Sequence, residues 1–166
     1  MSDAQPLLRL LAQDKEDLSI LSAAVQDAVL KVGDLSFLPR KKRFALVLNR
    51  FRWEDEARKD TQHRAGGPDR RRRPAKRHAR IRSGLHFDGV LSVQSQNIVQ
   101  QRKDGVLELL AITYEEPAAV ADNGFITLVF SGGGSIRLTV ECIEASLSDL
   151  SQPWPTDNLP DHGEDR

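Results

Sequence analysis

A single cysteine, Cys142, stands in 166 residues. One thiol excludes an internal disulfide and a cysteine-built metal cluster, and such sparing use fits a reducing cytosol. Of the four histidines, His63 and His78 fall in a basic stretch, His162 in the tail and only His86 in an expected strand. No second His or Cys is spaced to share a ligand sphere with His86, so a half-exposed strand residue is the simpler reading. No apolar run approaches the ~20 residues of a membrane span. Residues 1–6 lack the basic-then-apolar order of a secretory signal. No repeat of 20–50 residues is visible. These absences predict a cytoplasmic chain with no membrane association, no cofactor and no metal site.

Charge is abundant, and it is segregated. The formal net charge is zero, yet 17 of the 24 Lys and Arg residues lie between Arg40 and Arg82, with five acids among them, for a local net charge of +12. Residues 1–39 carry −3 and residues 83–166 carry −9. The densest run is Arg70, Arg71, Arg72, Arg73, Lys76, Arg77 and Arg80. A like-charged block of this density repels itself and attracts polyanions or acidic surfaces. The hydrophobic fraction of 39% is low because polarity concentrates here and after Ser151. The expected organisation is one antiparallel β-rich domain over residues 7–150, interrupted by a basic, flexible insert at 55–82 and followed by an acidic, Pro-containing tail at 151–166.

Within the domain, Leu8-Arg9-Leu10 alternates as a first strand. Asp14 reads as a helix N-cap, with Glu16 and Asp17 in the first turn and Leu18, Leu21 and Val25 on one face; this predicts a helix over 15–24. Period two follows. Residues 35–38 and 44–51 predict a hairpin, with Phe44, Leu46 and Leu48 buried on one face and Val47 on the other. Ordered structure is expected to resume at Leu85, with Gly89 a bulge. Strands are read at 106–114, 125–130 and 136–141, the last two joined by the hairpin loop Ser131-Gly132-Gly133-Gly134-Ser135. Residues 142–150 fit a bulged continuation of the preceding strand, and a short helix fits the same residues. The fold class is mainly β (α+β): a six- to seven-stranded antiparallel meander, rolled or sandwiched, with one short N-terminal helix.

Several stretches resemble a small uncharacterised family, mostly alphaproteobacterial, catalogued as a domain of unknown function (family number 2948). They are Leu10-Leu11-Ala12 with Asp17-Leu18; Gln26-Asp27-Ala28-Val29 with Val32-Gly33-Asp34; Phe44 to Phe51 with Trp53-Glu54; and Gly133 to Leu138 with Val140 to Ala145. The resemblance implies a cytosolic bacterial protein and brings no activity and no catalytic residues.

No catalytic constellation emerges. The glycine loop lacks the Lys and the following helix of a phosphate-binding loop. Cys142 reads as a small buried hydrophobe. Glu141 and Glu144 read as solvent-facing, or paired with Arg50, Arg52 or Arg137. Arg50, Phe51, Arg52 and Trp53 mix cations and aromatics at a strand end; such a surface can stack bases or receive a peptide, and it can equally cap the core with its arginines outward. The candidate binding surface is Arg50, Arg52, Trp53, Arg70, Arg71, Arg72, Arg73, Lys76, Arg77 and Arg80. The first functional expectation is a non-enzymatic cytosolic binding or adaptor module with an unknown protein partner or polyanion. The alternative is weak, sequence-independent nucleic-acid binding through the insert, since no aromatics separate its charges and no nucleic-acid-binding signature accompanies it. An enzyme with an unrecognised site comes third.

Overall fold

The computed structural model describes residues 7–51, 78–151 and 154–156. The α-helix among these residues, α1 (Lys15–Ala24), starts where capping chemistry places it: the Asp17 N–H donates to Asp14 Oδ1 at 2.8 Å. Leu18 and Leu21 are its buried face. The chain leaves the helix through Asp27, held at φ 64° in the left-handed region that Asp tolerates better than most residues.

Among the described residues there are eleven strands. They are β1 (Arg9–Ala12), β2 (Val29–Lys31), β3 (Leu35–Leu38), β4 (Arg43–Phe51), β5 (His78–Asp88), β6 (Val90–Gln96), β7 (Val106–Glu115), β8 (Gly124–Phe130), β9 (Ser135–Val140), β10 (Ala145–Asp149) and β11 (Trp154–Thr156). The hydrogen-bonded order is β1-β10-β5-β4-β2-β7-β8-β9-β6, with β3 added to β4 and β11 to β5, and each of these pairings is antiparallel. The mainly β class with one helix holds. The strands number more than the six or seven expected, because short segments such as β2 and β11 earn their status from pairing rather than from a run of alternating residues. The order also departs from a meander: β1 pairs with β10, and β2 with β7.

The chain turns two corners side by side. Gly89, at φ 71°, links β5 to β6, and residues 141–144 link β9 to β10. The two corners brace each other, since Glu141 N donates to Gly89 O and Asp88 N to Glu144 O, at 2.9 and 2.8 Å. Bends of this kind carry strands from one part of a rolled sheet to another. Gly89 is therefore a corner, and the bulge expected there sits just beyond it, between Val90 and Ser92. Residues 142–150 are neither helix nor an extension of β9: β10 pairs with β1 and β5, whereas β9 pairs with β6 and β8.

One buried cluster draws on α1 and on strands from both ends of the sheet order. Phe44, Leu46 and Leu48 belong to it as expected, and Val47 is half-buried. Burial of each such side chain contributes about 1.5–3 kcal/mol. The outer edge of β7 is closed in three ways. Val106, Leu107 and Glu108 pair with β2; Leu109 exchanges backbone bonds with Asp27 and Ala28; and Ser22 of α1 accepts the Ile112 N–H at 2.9 Å. β5 begins at His78, ahead of the Leu85 expected, because it runs the full length of β4 and takes Arg80 and Arg82 into the ladder despite their charge.

Candidate functional site

Arg50 continues the face begun by Phe44, Leu46 and Leu48, so its side chain enters the interior and is 0% exposed. Asp149 continues Ala145 and Leu147 in the same way. The two meet as a two-pronged pair: Arg50 Nε donates to Asp149 Oδ1 and Nη2 to Oδ2, both at 2.9 Å. Ser83 Oγ donates to Oδ1 at 2.7 Å and Leu8 N–H to Oδ2 at 2.8 Å. Arg50 Nη1 also donates to the Phe51 carbonyl at 3.2 Å. Burial opposes ionisation of Asp149, yet the hydrogen bonds from Arg50, Ser83 and Leu8, with the arginine's charge, hold its pKa below the usual value. With four donors on two oxygens, this carboxylate is a structural clasp with no lone pair directed at a substrate.

Arg80 of β5 is 8% exposed and lies over the Phe51 ring, 4.3 Å from guanidinium carbon to centroid. Its Nε makes no hydrogen bond among the described residues. Desolvation lowers its pKa, and the charge of Glu108 acts in the opposite direction.

A cleft of about 260 Å³ opens elsewhere, beside β3 and β6. Leu35, Phe37, Phe44, Val93, Ile98 and Ile136 are among the side chains that form its apolar wall, and Ser36, Ser95, Gln100 and Lys103 add polar groups. Among the described residues no acid contributes to the lining, and Lys103 is its one cation. The loop from β6 to β7 is held at the end of the cleft by accepting two hydrogen bonds from the turn after β2, the Gly33 N–H on Lys103 O and the Val32 N–H on Gly105 O, both at 2.9 Å. An apolar floor with a few placed polar groups is the usual composition of a ligand site.

A family model described as a protein of unknown function (DUF2948) matches residues 8–162. The chain belongs to this family. Neither a curated protein nor a solved structure matches it. The family description assigns no activity, so the DUF2948 fold must be read from its own residues.

Arg50 and Arg80, two of the sequence-derived candidates in this DUF2948 chain, are buried among packed strands. The expectation that the strand-end arginines point outward is reversed for Arg50, since its parity is that of the core. Arg52, Trp53, Arg70, Arg71, Arg72, Arg73, Lys76 and Arg77 lie outside the described residues, as does most of the tail. Cys142 is exposed rather than buried, because it falls on the corner after β9 instead of within a strand. Glu141 pairs with Lys42 at 2.7 Å, and both are exposed. His86 is half-buried on β5, 3.4 Å from Asp88. The glycine loop is the expected turn, with Gly132 and Gly133 at φ 83° and 90°. Among the described residues no three His, Cys, Asp or Glu side chains gather as a metal site, and no helix is long and apolar enough to cross a membrane. Sequence reasoning missed the cleft, since its walls come from segments some 60 and 100 positions apart (Val32 to Val93 and Ile136). It also missed the clasp, although a lone cation and a lone acid on otherwise apolar faces were the available signal.

Proposed function

We propose that this protein is a non-enzymatic binding module and that the cleft beside β3 and β6 is its ligand site. The cleft's lining carries the reading: among the described residues, an apolar wall with one cation and no acid. Such a surface favours a compact apolar group joined to a carboxylate or another anionic end, the apolar part against Phe37, Phe44 and Ile136 and the charge towards Lys103. Among the described residues Lys103 is the one titratable side chain in the lining, so these residues supply no acid–base pair and no activated nucleophile. The test is an amide-resonance titration with small apolar carboxylates and their neutral amides. Carboxylates should move the resonances of Phe37, Val93 and Ile98, and Lys103→Glu should weaken them by about tenfold, the effect of one charge-assisted hydrogen bond. Shifts confined to other surfaces would remove the cleft from consideration.

A second reading, sequence-independent binding of nucleic acid through the insert, is supported by the charge density of Arg70 to Arg80. Arg70, Arg71, Arg72, Arg73, Lys76 and Arg77 would carry it; Arg50 is committed to Asp149. Replacing Arg70–Arg73 should flatten the slope of log affinity against log salt by up to about 3–4. Tight binding that persists at high salt would contradict it.

A further inference from the structure

We infer that the natural occupant of the cleft is an extended peptide segment of another protein, which joins the sheet as a new strand along β6. This rests on the cleft being a ligand site and adds what the ligand is.

The backbone phase of β9 supplies the first observation. Phe130 N donates to Gly134 O at 2.9 Å, and β8 and β9 pair Leu128 with Ile136, Ile126 with Leu138 and Gly124 with Val140. Backbone groups alternate sides along a strand, so Ile136, Leu138 and Val140 face β8, and Ser135, Arg137 and Thr139 face β6. Those three pair with Gln96, Gln94 and Ser92. Val93 and Ser95 therefore turn their N–H and C=O groups away from β9, to the outer edge. Among the described residues nothing bonds to these groups there.

The side chains of the same two residues line the cleft, opposite the buried Leu138 and Ile136. Open backbone bonds and a pocket thus coincide at Val93 and Ser95. A strand laid along this edge would gain main-chain hydrogen bonds and place every second side chain on the cleft's side, which is how strand-adding peptides obtain affinity and selectivity together.

Composition supplies a third observation. Residues 90–101 carry no charge and no proline, although Lys, Arg, Asp and Glu make up 29% of the chain. Edge strands are ordinarily blunted by lysine, proline or a bulge. The bulge of β6 lies at its start, between Val90 and Ser92, and Val93 to Gln96 remains regular. The apolar lining with Lys103 beside it favours a segment with an aliphatic side chain and a nearby carboxylate, from an acidic residue or a chain end.

The experiment selects binders to the full chain from a displayed library of random nine-residue peptides, then measures the enriched peptides in solution. Binding should weaken by about tenfold or more in Ser95→Pro, which removes an outward N–H and leaves the β9 ladder intact. Val93→Phe, which fills the mouth of the cleft, should weaken it as well. Methylating the peptide's backbone nitrogens one at a time should abolish binding at alternate positions, a readout that does not depend on how the variants fold. Full affinity in Ser95→Pro, or tolerance of every methylation, overturns strand addition. If no peptide enriches while apolar carboxylates still occupy the cleft, this inference fails and the cleft stands as a ligand site; if neither binds, both fail. A concentration-dependent dimer abolished by Ser95→Pro would assign the edge to a second copy of this chain and overturn the peptide partner.

Discussion

The two ends of the sheet order, β1 and β6, solve the same problem differently. β1 is four residues long, carries Arg9, packs against α1 and is tied down where Leu8 and Asp149 exchange hydrogen bonds, N–H to Oδ2 and N–H to carbonyl. β6 is seven residues long, carries no charge and has, among the described residues, no strand on its outer side. An unpaired edge is a template for another chain, and β1 is short, charged and anchored as protected edges are. The clasp end of the molecule spends its buried charge on holding the chain together. The cleft end leaves its hydrogen-bonding capacity unspent, and that is where a partner has something to gain.

Asp149→Ala offers the strongest test of this contrast. It strands the Arg50 guanidinium in the interior and should destabilise the fold by about 3–5 kcal/mol. The double variant Arg50→Met with Asp149→Leu should recover much of that, because apolar replacement of a buried pair is often neutral. Chemical denaturation measures both, and a small loss in the single variant would mean that the clasp is solvated. Leu46→Ala comes next at about 2–5 kcal/mol. Leu46 is 2% exposed on β4, beside Leu35 of β3 and Leu85 of β5, so its loss should weaken both ends of the molecule together.

Acid should act on the clasp. The folded pKa of Asp149 is depressed, so its stabilisation is complete above the unfolded value of about 3.9 and is lost as pH falls through the lower folded value. Unfolding free energy followed below pH 5 should drop less steeply in Asp149→Asn than in the unaltered chain, and parallel curves would argue against the linkage. The smallest effect belongs to the cleft end. Ser95→Pro should change stability by no more than about 0.5–1 kcal/mol, whereas Gln94→Pro, which breaks a bond to Arg137 in the ladder, should cost about 1–3 kcal/mol. Equal losses would show that the backbone phase of β6 is misassigned.

Local chemistry was legible in the sequence, and long-range pairing was not. Asp14 announces α1, and the alternation Phe44, Leu46, Leu48 announces β4, because each signal is complete within a few residues. Arg50 sits at the next position of that alternation. Its inward direction was readable, but its partner lies 99 positions away. The cleft needs β3, β6 and β9 at once. Cys142 misled because apolar character spoke for burial while the corner that exposes it is set by strand pairing. The edge at Val93 and Ser95 emerges only from register, which a single sequence does not specify when several strands have similar faces.

The Leu8–Asp149 contact has a consequence for biosynthesis. Its partners are 141 positions apart, and β1 has β10 as its strand partner. At synthesis rates of about 5–20 residues per second, β1 waits roughly 7–28 s for β10 to be made. Until then the first strand has no strand partner, and this end of the sheet cannot close before β10 exists.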